Sequence, residues 1–524
     1  MRLPRKYIIG VIIVSIFVIG LIFNIPSSQN EPNVSPDTNQ NNGQLVDSYK
    51  GEKFETNGIS GEIVKLPTKA TINGKDYNNF KIRFTNIGYV GRRLYNYGNY
   101  YYLRSFSWAK ILVDDTGIYW VSFSPVGYGS PDLVIIKLDF DGQVIWAQKL
   151  KKEVRILYLD AYLNNSNIVV YVKSRTRLDS YDSGNDIDNI NNFKWDNFIV
   201  IDKTSGNVVK VVSVDSSTHD FVSVNYDNRK IYGYNRRVIS MDLSNYSTFT
   251  TSGDTYPIVV PLLDGTYLLI REQSQYTFGG YDLQFTIVNP NGTVVNSFHI
   301  GTNMDDHLHI LPFRTSIWMN SVGYHVYYAD MIKDISIGPV ITSNSAYLLV
   351  RFNDNTNGRV YANNNLLDGI SIMKINRANG EIEWVKKYKF DGFLVYNAFI
   401  PRGLEYIDNK LILKGYMIQL DYGYRNEWLS YSYYVEVVID PNNGNIESAS
   451  AYRTHNNRLM VLDIYHIGTN YWIAIEDYHT STYYMNPQPA LIQTDDLGAF
   501  GIEYIDLLTD QNLKITVTDV TYSH

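Results

Sequence analysis

The chain has 524 residues, with 46 Lys+Arg against 53 Asp+Glu, and a net charge of −7 gives it no general affinity for nucleic acid phosphates. Hydrophobic residues make up 44% and charged residues 19%, which excludes a chain disordered throughout. It has no cysteine, so disulfides, thiolate zinc sites, iron–sulfur clusters and cysteine nucleophiles are excluded as well.

Arg2, Arg5 and Lys6 precede an uncharged, mostly apolar run from Tyr7 to Phe23. The run is long enough to cross a bilayer, and its basic flank lies only on the N-terminal side. Residues 1–25 are therefore expected to form a transmembrane helix that leaves the rest of the chain outside the cell. A cleaved signal peptide is the rival reading and would release a secreted protein. The apolar run exceeds a typical signal core, and no small-residue cleavage motif stands nearby. Residues 26–60 are read as a flexible stalk, because Pro26 to Asp47 is rich in Asn, Ser, Pro and Gln and has little apolar surface to bury. Asn33, Asn164, Asn245 and Asn291 each begin an Asn-x-Ser/Thr acceptor pattern, usable on an exported chain.

Residues 61–524 are expected to be all-β: short apolar runs are broken by Gly, Asn and Asp clusters, with no long stretch of helical periodicity. One phrase recurs, an apolar run, a polar turn with Gly, and a second apolar run often ending in an aromatic. It is clear at Leu133 to Leu150, Phe198 to Val214, Phe285 to Ile300, Ile370 to Tyr388 and Val435 to Tyr452. It is weaker at Val238 to Thr250 and Ala490 to Ile505. Each phrase reads as a hairpin, and a second hairpin pattern stands upstream at Ile111 to Ser124, Ile258 to Glu272 and Gly403 to Tyr416. Two hairpins per repeat make four strands, the unit of a β-propeller blade. The five clear and two weak phrases predict seven blades; an eighth around His325 to Phe352 is the alternative. The terminal Leu513 to Ser523 is similar to Arg155 to Tyr162 and Arg458 to Tyr465, so the C-terminal strand is expected to cross back and complete the first blade.

The phrases DFDGQVIW at Asp139 to Trp146 and NRANGEIEW at Asn376 to Trp384, preceded by DLVIIKL and ISIMKI, resemble the β-propeller repeats of the pyrroloquinoline-quinone-dehydrogenase-like superfamily. The resemblance covers most of the chain after residue 100 and implies a propeller. The enzymes of that superfamily bind their quinone with a metal, acidic residues and often a vicinal cysteine pair. Cysteine is absent here and no acidic cluster matches, so no cofactor residue is carried over.

Residues of possible chemical use are scattered. Asp182, Asp186 and Asp188 alternate around Gly184, an oxygen-donor spacing that suits either a calcium loop holding Ca2+ or a solvated acidic insertion. His307 and His309 share one strand face without an identifiable third ligand. Asp114, Asp115, Glu272, Asp305, Asp306, Glu476 and Asp477 lie in or beside apparent strands, but no spacing pairs two of them for glycoside hydrolysis. Aromatic residues concentrate in two segments, one with Tyr95, Tyr97, Tyr100 and Trp108, the other with Tyr422, Tyr424 and Trp428. These rings suit either a recognition surface or ordinary strand packing. The expectation is a membrane-anchored, extracellular propeller that binds a protein or glycan or serves a structural role, with no nucleic acid partner. An extracellular enzyme, hydrolysing glycans or using a quinone, and an envelope assembly factor are the alternatives.

Overall fold

A computed structural model describes residues 49–56, 59–85, 94–97, 100–103, 108–123, 133–149, 156–174, 177–178, 195–215, 222–225, 230–233, 237–240, 246–248, 258–274, 281–300, 307–310, 317–319, 324–327, 339–353, 370–391, 398–419, 431–454, 459–477 and 488–522. The chain divides into a unit of Met1–Asn42, which contains the expected anchor and lies wholly outside the described residues, and a unit of Gly43–His524. Among the described residues no helix is long and apolar enough to cross a membrane. Apart from a single 3-10 turn at Gly498–Phe500, the regular structure described is β-strand, as the periodicity predicts.

The strands pair into six sheets built largely from consecutive antiparallel strands, in the manner of propeller blades. The 108–149 unit comprises Trp108–Asp114, Gly117–Phe123, Leu133–Leu138 and Val144–Lys149. The 156–215 unit comprises Ile156–Leu163, Asn167–Ser174, Trp195–Asp202 and Val208–Asp215. Shorter strands form the 222–248 unit, which is bridged to the 258–300 and 340–391 units within one 14-stranded sheet. The 398–454 unit comprises Ala398–Ile407, Lys410–Gln419, Tyr431–Ile439 and Ile446–Thr454; Leu459–Ile467, Asn470–Asp477 and Gln488–Thr494 follow it. Third strands such as Leu133–Leu138 and Ile370–Asn376 are buried on both faces, because each sheet is covered by neighbours on either side. This is why LVIIKL and ISIMKI read as continuous apolar runs rather than as alternation.

The recurring phrase makes the seam between neighbouring units. Gly206 takes φ +73° in its turn, and a Cβ there would lie 2.5 Å from the Trp146 ring of the preceding unit. The Trp146 indole N–H donates to Lys203 O at 3.1 Å in the same turn. Gly444 sits likewise against Trp384 and Lys386, and Tyr388 Oη donates to Gly444 O at 2.7 Å. At these two seams the turn glycine is packed against an aromatic ring one repeat earlier, which leaves no room for a side chain in the turn.

Three expectations are corrected. The strand Lys75–Phe84 completes the last unit, pairing antiparallel with Gln488–Thr494. The C-terminal strand Lys514–Asp519 pairs instead with Ile382–Asp391, and Ile502–Asp506 pairs with Ile446–Thr454. Lys514–Asp519 buries essentially one face, the pattern of an edge strand, so its likeness to first strands misassigned it. The weak phrase at Ala490 to Ile505 forms no hairpin, since its two strands join different sheets. Among the described residues no consecutive four-stranded unit is centred on His325 to Phe352: Ser345–Asn353 belongs to the 340–391 unit, and Tyr324–Tyr327 pairs with Ile317–Met319 and Tyr100–Leu103.

The closing seam is held by polar as well as apolar groups. Gln493, fully buried, donates through Nε2 to Asn78 O at 3.1 Å and Phe140 O at 2.7 Å, and its Oε1 accepts the Trp472 indole N–H at 2.8 Å. Gly142 of the 108–149 unit packs against Ile63 and Phe80, the contact that Gly206 makes with Trp146 elsewhere.

Candidate functional site

The first strands of four units carry charged residues among apolar ones: Lys110 in WAKILVD, Asp160 in ILYLDAYL, Glu405 in AFIPRGLEYI and Asp463 in LMVLDIYHI. These charges meet. Lys110 Nζ pairs with Glu405 and stands 3.7 Å from Asp160 Oδ1. Glu405 Oε2 lies 3.1 Å from Lys414 Nζ, which is 3.8 Å from Glu436 Oε1 and donates to Ile464 O at 3.2 Å. Asp463 is almost wholly buried. Its Oδ2 accepts the Ile111 N–H at 2.9 Å, its Oδ1 accepts Tyr434 Oη–H at 3.0 Å, and Arg402 Nη1 stands 3.6 Å away.

Two irregularities in strand pairing aim these groups. The register shifts between Pro401 and Gly403 and between Val461 and Asp463, so Arg402 and Leu462 are the extra residues of β-bulges. Arg402 Nη1 donates to Tyr416 Oη at 3.2 Å, and Tyr416 Oη donates onward to Leu462 O. Tyr416, Tyr434 and Tyr452 are cross-strand neighbours and their rings contact in series.

The cluster thus sets Lys110, Arg402 and Lys414 against Asp160, Glu405, Glu436 and Asp463. Burial alone would neutralise Glu405, but Lys110 and Lys414 hold its pKa well below the ordinary carboxylate value. Burial opposes the charges on Lys110 and Lys414 too, and the surrounding carboxylates outweigh it, so both pKa values are raised. Asp160 goes the other way: enclosure by protein raises its pKa, and the attraction of Lys110 does not cancel this. Its side chain is nevertheless 40% accessible, the most open carboxylate of the cluster. His466 Nε2 stands 3.3 Å from Glu436 Oε2 at the edge of the group. Among the described residues that oxygen has no hydrogen-bond partner.

None of these residues was singled out from the sequence. The available signal was a charge set among apolar residues of a strand, as in the first strands of four units. Of the residues that were singled out, Asp182, Asp186, Asp188, Tyr422, Tyr424, Trp428, Asn33 and Asn245 lie outside the described residues. Tyr95, Tyr97 and Tyr100 belong to one hairpin, Leu94–Tyr97 with Tyr100–Leu103, whereas Trp108 begins a strand of another sheet. Asp114 is 2.7 Å from Lys203 Nζ of the next unit and caps its own turn through Thr116, which makes it a seam group. His307 and His309 pair in register with Asn353 and Arg351, and the described residues contain no group of three metal-ligating side chains.

The two rims of the units differ. Residues 115–116, 139–143, 164–166, 203–207, 289–293, 377–381, 408–409 and 440–445 make the first-to-second and third-to-fourth turns. In antiparallel units these turns share one end. Residues 124–132, 175–194, 354–369, 420–430 and 478–487 join second to third strands, which end at the opposite rim. The short turns gather at one rim, and the long links start from the other.

No protein-family model matches the chain, and no curated protein matches it in sequence. Among solved structures, the polysaccharide lyase Uly1 is similar at 10% identity and a TM-score of 0.32, over 81% of this chain and 93% of that one. A quinonprotein alcohol dehydrogenase-like protein from Bacteroides thetaiotaomicron is similar at 11% identity and a TM-score of 0.32, over 76% and 91%. The quinohemoprotein alcohol dehydrogenase from Comamonas testosteroni gives 7% and 0.27, over 86% and 75%. At such identities and scores the likeness assigns this chain to none of these families and transfers none of their chemistry.

Proposed function

We propose that the chain is a seven-bladed β-propeller displayed outside a cell membrane, and that the rim bearing its long links binds a protein or glycan. The segregation of short turns to one rim and long links to the other carries this reading. Binding residues are drawn disproportionately from loops held by a rigid scaffold, and only one rim here has links long enough to supply them. The 420–430 link reads LDYGYRNEWLS, so Tyr422, Tyr424 and Trp428 are its proposed contacts. The apolar run from Tyr7 to Phe23 and the polar stalk supply the display. Crosslinking the full chain in its native membrane, followed by identification of the captured protein or glycan, tests it. A stoichiometric partner that the triple variant Tyr422→Ala, Tyr424→Ala, Trp428→Ala no longer captures supports the reading; equal capture by this variant excludes these contacts.

One observation favours a second reading, an enzyme. Asp160 and Glu405 share Lys110, and their surroundings move their pKa values in opposite directions, as in a paired general acid and base. Under this reading Asp160→Asn abolishes glycan cleavage in a hydrolase screen while leaving thermal unfolding unchanged.

A further inference from the structure

Three acceptor patterns fall in the β-domain, and the two whose asparagines are among the described residues belong to the short-turn rim. Asn164 opens the turn 164–166 and Asn291 lies in the turn 289–293. Asn245, outside the described residues, precedes Tyr246–Thr248 in the link from the third to the fourth strand of its unit. The long links at the other rim are also rich in asparagine, with Asn185, Asn189, Asn355, Asn363 and Asn426 among them, yet none of these is followed two residues later by Ser or Thr. Asn291 and Thr293 are exposed, as are Asn165 and Ser166 beside the half-buried Asn164. Asn291 Oδ1 accepts the Thr293 N–H at 3.0 Å, and Asn164 Oδ1 accepts the Asn165 N–H at 2.7 Å. In both residues the carbonyl oxygen is engaged and the amide nitrogen Nδ2 has no partner among the described residues.

From this placement we infer that the short-turn rim carries N-linked glycans at Asn164 and Asn291, leaving the long-link rim bare for its ligand. The inference rests on the extracellular placement proposed above. In the transfer, Nδ2 attacks the anomeric carbon of a lipid-phosphate-linked oligosaccharide. The new N–C bond replaces the C–O bond to phosphate, the lipid phosphate leaves, and the transferase takes the amide proton. A hydrated glycan on one rim excludes partners there, so recognition is confined to the other.

The test is glycopeptide mass spectrometry on the full chain from its native membrane, beside protease shaving of intact cells. Sugar on both Asn164 and Asn291 is the expected result, with Ser166→Ala removing the first increment and Thr293→Val the second while the melting curve stays unchanged. Either asparagine bare on a chain that shaving shows to be external overturns the inference and leaves the proposed location standing. Protection of the β-domain until the cells are lysed overturns the location, and the inference with it.

Discussion

Asp463 receives a backbone N–H from Ile111, a phenol from Tyr434 and the approach of Arg402, so three strands from two other units depend on one carboxylate. Asp463→Leu removes a carboxylate from beside the buried Arg402 and is expected to cost about 3–5 kcal/mol in urea unfolding. Asp463→Asn still accepts from Ile111 and costs less. Glu405 yields a prediction in pH. Its folded pKa is depressed, so its contribution is complete above the ordinary value of 4.5 and is lost as pH falls through the lower folded value. The stability gap between wild type and Glu405→Gln is expected to be about 3 kcal/mol at neutral pH and to narrow below pH 4.5, as read by denaturant titration across pH. Asp160 has the opposite sign: its raised pKa stabilises the fold below the ordinary 3.8 and ceases to do so as pH rises through the folded value. The charges in these strands were legible one at a time. The partners across units were not, because those pairs join residues distant in the chain, such as Lys110 and Glu405.

At the scale of the element, the hairpins were the most legible feature, since alternation and turn chemistry act over a few residues. Their glycines differ in what a side chain would meet. Gly265 has φ +88° with open space around its Cβ position, whereas Gly206 has φ +73° with Trp146 against it. Gly265→Ala is expected to cost about 1–2 kcal/mol, for the left-handed backbone alone. Gly206→Ala is expected to add about 1–3 kcal/mol more from overpacking. Equal thermal shifts for the two variants would refute the seam role given to the phrase. The bulges at Arg402 and Leu462 left no mark in the sequence, because a bulge is set by two strands together and its extra residue fits either register.

At the scale of the whole molecule, both ends of the β-domain act on sheet edges, but in different ways. The strand Lys75–Phe84 pairs with the last unit and brings in the buried Phe80, Ile82 and Phe84, of which Phe84 stacks on Trp120 of the 108–149 unit at 4.7 Å. The C-terminal strand adds to an outer edge and buries chiefly Ile515. Deleting residues 49–85 is therefore expected to yield aggregated protein, since it opens the closing seam and uncovers Trp472 and Gln493. Deleting residues 511–524 is expected to lower the melting temperature while leaving a soluble, folded protein. Size-exclusion chromatography with a thermal melt separates the two, and aggregation of the C-terminal truncation alone would reverse the assignment of closure.

The sequence by itself determined the all-β class, the hairpin phrases and their glycine turns, and the apolar third strands, because these follow from local periodicity and backbone conformation. Which strand closes the last unit, and which charges share a site, were decided by tertiary structure alone. Edge pairing depends on which backbone edge is free and which face is covered, and many strands of this chain satisfy the same local pattern. The contacts of Lys110 with Glu405 and Asp160 arise only when first strands from separate units converge, a proximity that no spacing along the chain encodes.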